Sequence, residues 1–263
     1  MYMPSNAIDV KVFDGAGTII LNRPDYGNAL TRSMVQQLIE AIDDLYLEKR
    51  VRAIIITGAG DSFSAGADVG EMQVSQDSEA PEEDWGSDAA DFRDLVVRMM
   101  EITKPIIAAV NGPAVSAGAA LVAAADIVVA SERATIGVPD ARHGMVAGLA
   151  TPLIAFRIGA GQAARMMLTG ATLDAAEAHR IGLFHELAPD DLVWARAMEV
   201  AKQCAAGAPE AIQLSKRLVN ETLGEELATQ LASGAVMAAT ARTTEAASEG
   251  IKALLEGRPP EWK

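Results

Sequence analysis

Two short stretches carry residue types that can hold a reacting group without a reactive side chain. The first is Asp61-Ser-Phe-Ser-Ala-Gly-Ala-Asp68-Val-Gly-Glu71. Small residues at Ala65, Gly66 and Ala67 let a ligand approach the backbone closely. Asp68 and Glu71 have capping-box spacing for a helix starting near Val69. Amides just before a helix N-terminus favour an anionic oxygen. The second stretch is Asn111-Gly-Pro-Ala-Val-Ser-Ala117-Gly118-Ala-Ala120, again a small-residue turn entering a helix. Two such turns can aim two amides at one point, which is how a developing oxyanion is held. The plainer alternative for the first is a tight strand-to-helix turn with a capping Asp.

The elements that must position these turns follow from hydrophobic spacing. Gly17 to Leu21, Ala53 to Thr57, Ile106 to Val110 and Ile127 to Ala130 are short apolar runs that predict strands. Thr31 can cap a helix carrying Met34, Leu38, Ile42 and Leu45 at helical spacing. Ser116 to Ala125 predicts an Ala-rich helix. Strands alternating with helices imply βα units with mostly parallel pairing. Past about Ala160 helical patterns follow one another: Gly161 to Leu168, Asp174 to Arg180, Asp190 to Ala205, Pro209 to Glu221, Glu225 to Thr240 and Thr244 to Leu255, with a strand only at Leu183 to Leu187. The expectation is an α/β body over 1–188 and a helical C-terminal region over 189–263. Gln73 to Asp91 holds seven acidic residues and no Lys or Arg; it reads as a solvated surface loop or as a mobile cover with Trp85 as an apolar contact.

Composition excludes several functions. A net charge of −14 with no basic face argues against nucleic-acid binding. The single Cys204 rules out a disulfide framework within the chain and fits a reducing compartment. Met1 to Asp9 lacks the regions of a signal peptide, so a cytoplasmic protein is expected. Pro105 to Ala125 is uncharged and long enough to span a bilayer, but Pro105 and Gly112-Pro113 interrupt it, and a buried strand-turn-helix explains it better. Three His and one Cys make no metal cluster, and neither the dinucleotide fingerprint, the P-loop nor the Gly-x-Ser-x-Gly elbow is present. No metal and no separate cofactor are expected; catalysis rests on carboxylates and backbone groups.

The ordered set of motifs is specific. Leu21-Asn-Arg-Pro24 with Asn28-Ala-Leu30, Phe63-Ser-Ala-Gly-Ala-Asp68, Ala109-Val-Asn-Gly112, Ala124-Ala-Asp-Ile127, Gly137-Val-Pro-Asp140, Ala176-Glu-Ala-His-Arg-Ile-Gly-Leu183 and Glu249 to Arg258 resemble the crotonase (enoyl-CoA hydratase/isomerase) superfamily in order and spacing over nearly the whole chain. The resemblance implies a crotonase-like spiral of βββα units with a helical C-terminal trimerisation region, an acyl-CoA thioester as substrate, and a homotrimer or a hexamer made of two trimers. It assigns the oxyanion-hole amides to Ala65 and Ala117. It assigns CoA contacts to the backbone of Ala65, Gly66, Ala67 and Asp68, with Arg23 and the Arg258 to Trp262 region as further candidates at the CoA end.

The same resemblance identifies two departures from the hydratases. Their first glutamate falls on Ala120, which cannot activate water; their second falls on Asp140. A single carboxylate suits the enoyl-CoA isomerases of the superfamily, in which one base moves a proton from C2 to C4 of a 3-enoyl thioester. Other members place an aspartate where this chain has Gly148. The reading is an enzyme that stabilises a thioester enolate, an isomerase using Asp140. The alternatives are a divergent hydratase of acyl-CoA breakdown, another lyase of the superfamily, or a crotonase-fold protein that binds acyl-CoA without turnover. Asp140 also reads as a turn residue after Pro139, and His143 as a loop histidine or a second pocket group.

Overall fold

The computed structural model describes residues 7–262; of the N-terminal stretch examined for a leader, residues 1–6 lie outside the described residues. A six-stranded sheet has the order β1-β2-β3-β4-β6-β9. Its members are β1 (Ile8–Phe13), β2 (Ala16–Leu21), β3 (Ala53–Gly58), β4 (Ile106–Val110), β6 (Ile127–Ser131) and β9 (Glu186–Ala188). Only β1 and β2 pair antiparallel; every later neighbour is parallel. That is the arrangement long crossover connections impose. The central strands β3 and β4 are buried along almost their whole length, as expected for apolar runs covered on both faces. A smaller sheet joins β5 (Ala114–Val115), β7 (Thr135–Gly137) and β8 (Thr172–Asp174).

Helix α1 (Arg32–Leu47) begins where its cap predicts, with Thr31 Oγ1 accepting from Met34 N at 3.2 Å. Met34, Leu38, Ile42 and Leu45 are buried on one stripe. The uncharged stretch after Pro105 forms β4, β5 and α4 (Ala117–Ala124), buried in the core rather than in a bilayer. Among the described residues no helix is long and apolar enough to cross a membrane.

The acidic segment is not a loop. It forms the end of α2 (Val69–Gln76) and the first half of α3 (Pro81–Glu101). Pro81 takes the first helical position, and Glu82, Glu83 and Asp84 fill the first turn, where negative charge suits the helix dipole. Trp85, Ala89, Leu95, Val96 and Met99 bury the inner face of α3.

Helix α5 (Ala150–Thr169) is kinked at Gly159, whose φ is 79°. After α6 (Ala175–Arg180), α7 (Val193–Ala206) packs Val193, Ala197, Met198, Val200 and Ala201 against the outer sheet face, beside Ala53, Ile55, Ile107 and Val129. The expected separate helices of the tail are one long α8 (Pro209–Arg242), followed by α9 (Glu245–Glu256). Leu227, Leu231 and Ala235 of α8 belong to the main core. Residues after 188 thus take part in both hydrophobic clusters of the body. Lys216 of α8 is its polar anchor: Nζ lies 2.7 Å from Asp126 Oδ2 and donates to Met99 O at 3.0 Å and Lys104 O at 3.1 Å.

Candidate active site

The two small-residue turns lie side by side, joined by main-chain pairing. Phe63 N and Ser64 N donate to Pro113 O, each at 3.1 Å, and Val115 N donates to Ser64 O at 2.9 Å. Two buried or half-buried asparagines staple the first turn. Asn28, at φ 56°, donates through Nδ2 to Ala59 O and Ser62 O and accepts from Arg23 N. Asn111 Nδ2 donates to Gly60 O at 2.8 Å while its Oδ1 accepts from Gly58 N at 3.0 Å. Gly66 needs its glycine: φ is 95°, and a Cβ there would stand 2.9 Å from Val115 O.

The amides of the first turn are not equivalent. Ala65 N donates to Gly27 O at 2.8 Å, so the N–H that the sequence pattern assigned to an oxyanion hole is already used inside the fold. Gly66 N donates to Ser64 Oγ at 3.2 Å. Ala67 pairs across a parallel bridge with Leu30. Leu30 N donates to Gly66 O at 2.7 Å, and Asp68 N donates to Leu30 O at 3.0 Å. Successive groups of an extended chain face opposite sides, so the N–H of Ala67 faces away from Leu30 and has no acceptor among the described residues. Ala117 is the first residue of α4, where the N–H has no intrahelical partner.

Ala67 and Ala117 line one pocket together with Ser116, Ala120 and Asp140. Its walls are mostly apolar: Leu30, Val35, Met72, Phe92, Leu149 and neighbours. Ala120 offers only a methyl group there. Asp140 opens a 3-10 turn (Asp140–His143) after β7 and is 9% exposed. Ser116 Oγ donates to its Oδ1 at 2.8 Å, and its Oδ2 is buried with no hydrogen-bond partner. Burial pushes the Asp140 carboxyl above the usual carboxylate range, against smaller opposing effects from Ser116, its own backbone, His143 and Arg242.

The other singled-out residues sit differently. Asp68 caps α2, accepting from Glu71 N at 3.1 Å, and accepts from Arg23 Nη1 at 2.9 Å. The capping box is half made, because the Glu71 carboxylate accepts instead from Arg32 N at 2.8 Å. Arg23 lies over the Tyr26 ring and on Asp68, and is not among the residues lining the pocket. Arg258 is bound by Glu249 and Glu256. His143 and Trp85 do not line the pocket. Gly148 leaves no room for an aspartate, since a Cβ there would meet Gly234 O at 1.9 Å. Sequence reasoning missed two pocket cations, Arg32 and Arg242; nothing in local spacing brings the start of α1 beside the end of α8.

Two helix-entry turns here face one buried carboxyl across a single pocket beside a mostly parallel sheet, and comparison gives the family. The sequence model for "Enoyl-CoA hydratase/isomerase" matches residues 13–263, so the chain belongs to that family and has the crotonase fold. It is 36% identical over 244 residues to a "Putative enoyl-CoA hydratase" of Thermus thermophilus, covering 93% of this chain and 96% of that one. It is 32% identical over 247 residues to the "2,3-dehydroadipyl-CoA hydratase" of Escherichia coli, covering 93% and 94%. A crystal structure of an enoyl-CoA hydratase/isomerase from Mycobacterium paratuberculosis superposes with TM-score 0.87 at 30% identity, over 95% of this chain and 99% of that one.

Proposed function

We propose that this protein is an acyl-CoA enzyme that converts a 3-enoyl-CoA to a 2-enoyl-CoA with Asp140 as its only proton-transfer group. The observation that carries the reading is the Asp140 carboxylate: buried in an apolar pocket, held by Ser116 on one oxygen, with the other oxygen unpartnered. A base with its pKa raised by desolvation is matched to proton abstraction near neutral pH. Asp140 Oδ2 takes a proton from C2. The C–H electron pair moves into the thioester, whose oxygen becomes an enolate held by the Ala67 and Ala117 N–H groups. The dienolate then takes the proton back at C4, leaving a C2–C3 double bond. Each amide contributes about 3 kcal/mol of transition-state stabilisation in sites of this kind. The remaining pocket carboxylates have other engagements or lie less buried: Asp68 with Arg23, Asp88 with Arg32, Glu71 on the Arg32 amide.

A second reading, hydration of a 2-enoyl-CoA, is favoured by the names of the relatives. Ala120 counts against it, since no carboxylate stands there to orient water. Incubation with 3-hexenoyl-CoA and, separately, 2-hexenoyl-CoA, followed by mass-resolved chromatography, separates the two. A new peak of unchanged mass supports isomerisation; a product heavier by one water refutes it. We also propose a cytoplasmic homotrimer or hexamer; exposed Leu214, Val236 and Met237 on α8 support self-association.

A further inference from the structure

The wall of the pocket contains a guanidinium whose one ion-pair partner is shared with a second arginine. Arg242 is the last residue of α8, its side chain is 17% exposed, and it lines the pocket with Ala238 one turn earlier. A cation at a helix C-terminus ordinarily serves the last carbonyls. Here Thr243 and Thr244 do that, their backbone N–H and hydroxyl groups donating to Thr240 O and Ala241 O. Arg242 makes no hydrogen bond among the described residues. Its side chain forms an ion pair with Asp88 Oδ2 at 3.7 Å, longer than a hydrogen bond.

Asp88 is already engaged. Arg32 Nε lies 2.5 Å from Asp88 Oδ1 and Arg32 Nη2 lies 3.0 Å from Oδ2, and Arg32 also reaches Ser75 Oγ. Glu71 and Asp84 act on Arg32 rather than on Arg242. The other carboxyl that Arg242 feels is Asp140, which is engaged by Ser116 and makes no hydrogen bond to Arg242. Desolvation weakens the charged form of Arg242, with Asp88 and Asp140 opposing that effect and Arg32 adding to it. A wall meant only for a hydrocarbon tail gains nothing from five such donors.

We infer that the acyl group bound here ends in a carboxylate, received by the Arg242 guanidinium in the pocket wall. A carboxylate fits the planar fork of donors and supplies the hydrogen bonds that the Arg242 side chain lacks. The inference rests on the acyl-CoA reading above. The substrate class is then mono-CoA thioesters of dicarboxylic acids rather than simple fatty acyl-CoAs.

Saturated thioesters test this without relying on catalysis. Isothermal titration would compare hexanoyl-CoA with the mono-CoA thioester of hexanedioic acid, with the pentanoic and octanoic pairs run alongside to cover reach. The wild-type protein should bind a dicarboxylic member about tenfold or more tighter than its fatty counterpart, as a charged hydrogen bond implies. Arg242→Met should lose that preference while still binding hexanoyl-CoA, and Arg242→Lys should keep part of it. Equal binding of every pair by the wild type, or a preference for the fatty thioester, overturns the inference and leaves the acyl-CoA reading standing. The wild-type comparison decides even if Arg242→Met does not fold. A preference retained in Arg242→Met removes Arg242 from the role. No binding of any thioester refutes the acyl-CoA reading and the inference with it.

Discussion

Replacing Ser116 with glycine should move the acid limb of the activity profile to higher pH. Ser116 sits at the N-cap of α4, yet its hydroxyl does not cap the helix; it donates to Asp140 Oδ1 at 2.8 Å. Its backbone has φ 51° and ψ −113°, a region glycine occupies and other residues avoid. The fold thus tolerates a strained serine that steadies the carboxylate. A hydrogen bond to a charged group contributes about 1.5–3 kcal/mol. At about 1.4 kcal/mol per pH unit, its loss should raise the Asp140 pKa by ~1–2 units. The sign follows from the acceptor: the hydroxyl favours the ionised form, so removing it favours the acid. The assay is kcat/KM against pH with a 3-enoyl-CoA. The limb should rise by that amount while the rate on the alkaline plateau is largely kept. Ser116→Ala should shift the limb equally but be less stable than Ser116→Gly by about 1–3 kcal/mol, because alanine keeps the strained backbone. A limb unmoved in both variants would mean that Asp140 does not set it.

Activity and stability should also trend oppositely across the Asp140 titration. The folded pKa lies above the unfolded one, so ionisation is penalised in the fold, and this group's cost to stability grows as pH rises from the ordinary carboxylate value through the raised one. Urea melts over that window, compared with Asp140→Asn, check it: the variant should lack the decline. Lys216→Met should destabilise by about 3 kcal/mol, because Asp126 loses its buried partner and α8 its tie to Met99 and Lys104; a change under ~1 kcal/mol in chemical denaturation would contradict that. Gly148→Ala should cost about 1–3 kcal/mol and raise KM, since its Cβ would meet Gly234 O and push α8 off the pocket; an unchanged melting temperature and KM would refute the close approach.

Much of the scaffold was legible because one cause dominated at each place. The apolar runs at Ala53 and Ile106 can only be buried strands, and Thr31 marks its helix by the hydroxyl that caps it. The 73–91 segment misled because seven acidic residues suggest solvent, whereas Pro81 and the acids after it are themselves helix-start signals. The Ile8–Phe13 strand went unread; Val10, Val12 and Phe13 are exposed on an edge. Within the site, residue identity was readable and direction was not. The motif located the turn, but which of Ala65 and Ala67 keeps a free N–H depends on the left-handed Gly66 and on the pairing with Gly27 and Leu30. Arg242 was invisible for a related reason: its neighbours Arg32 and Asp88 come from α1 and α3, far away in the chain.

The central claim is that Asp140 moves the proton. Incubating wild-type protein and Asp140→Asn with 3-hexenoyl-CoA in heavy water, and reading deuterium in the recovered thioester by mass spectrometry, tests it directly. The wild type should yield 2-hexenoyl-CoA whose C4 carries largely the proton taken from C2 rather than solvent deuterium, and Asp140→Asn should give no product while still binding the thioester. 2-Hexenoyl-CoA from Asp140→Asn at the wild-type rate, or full solvent labelling at C4 by the wild type, would contradict the account.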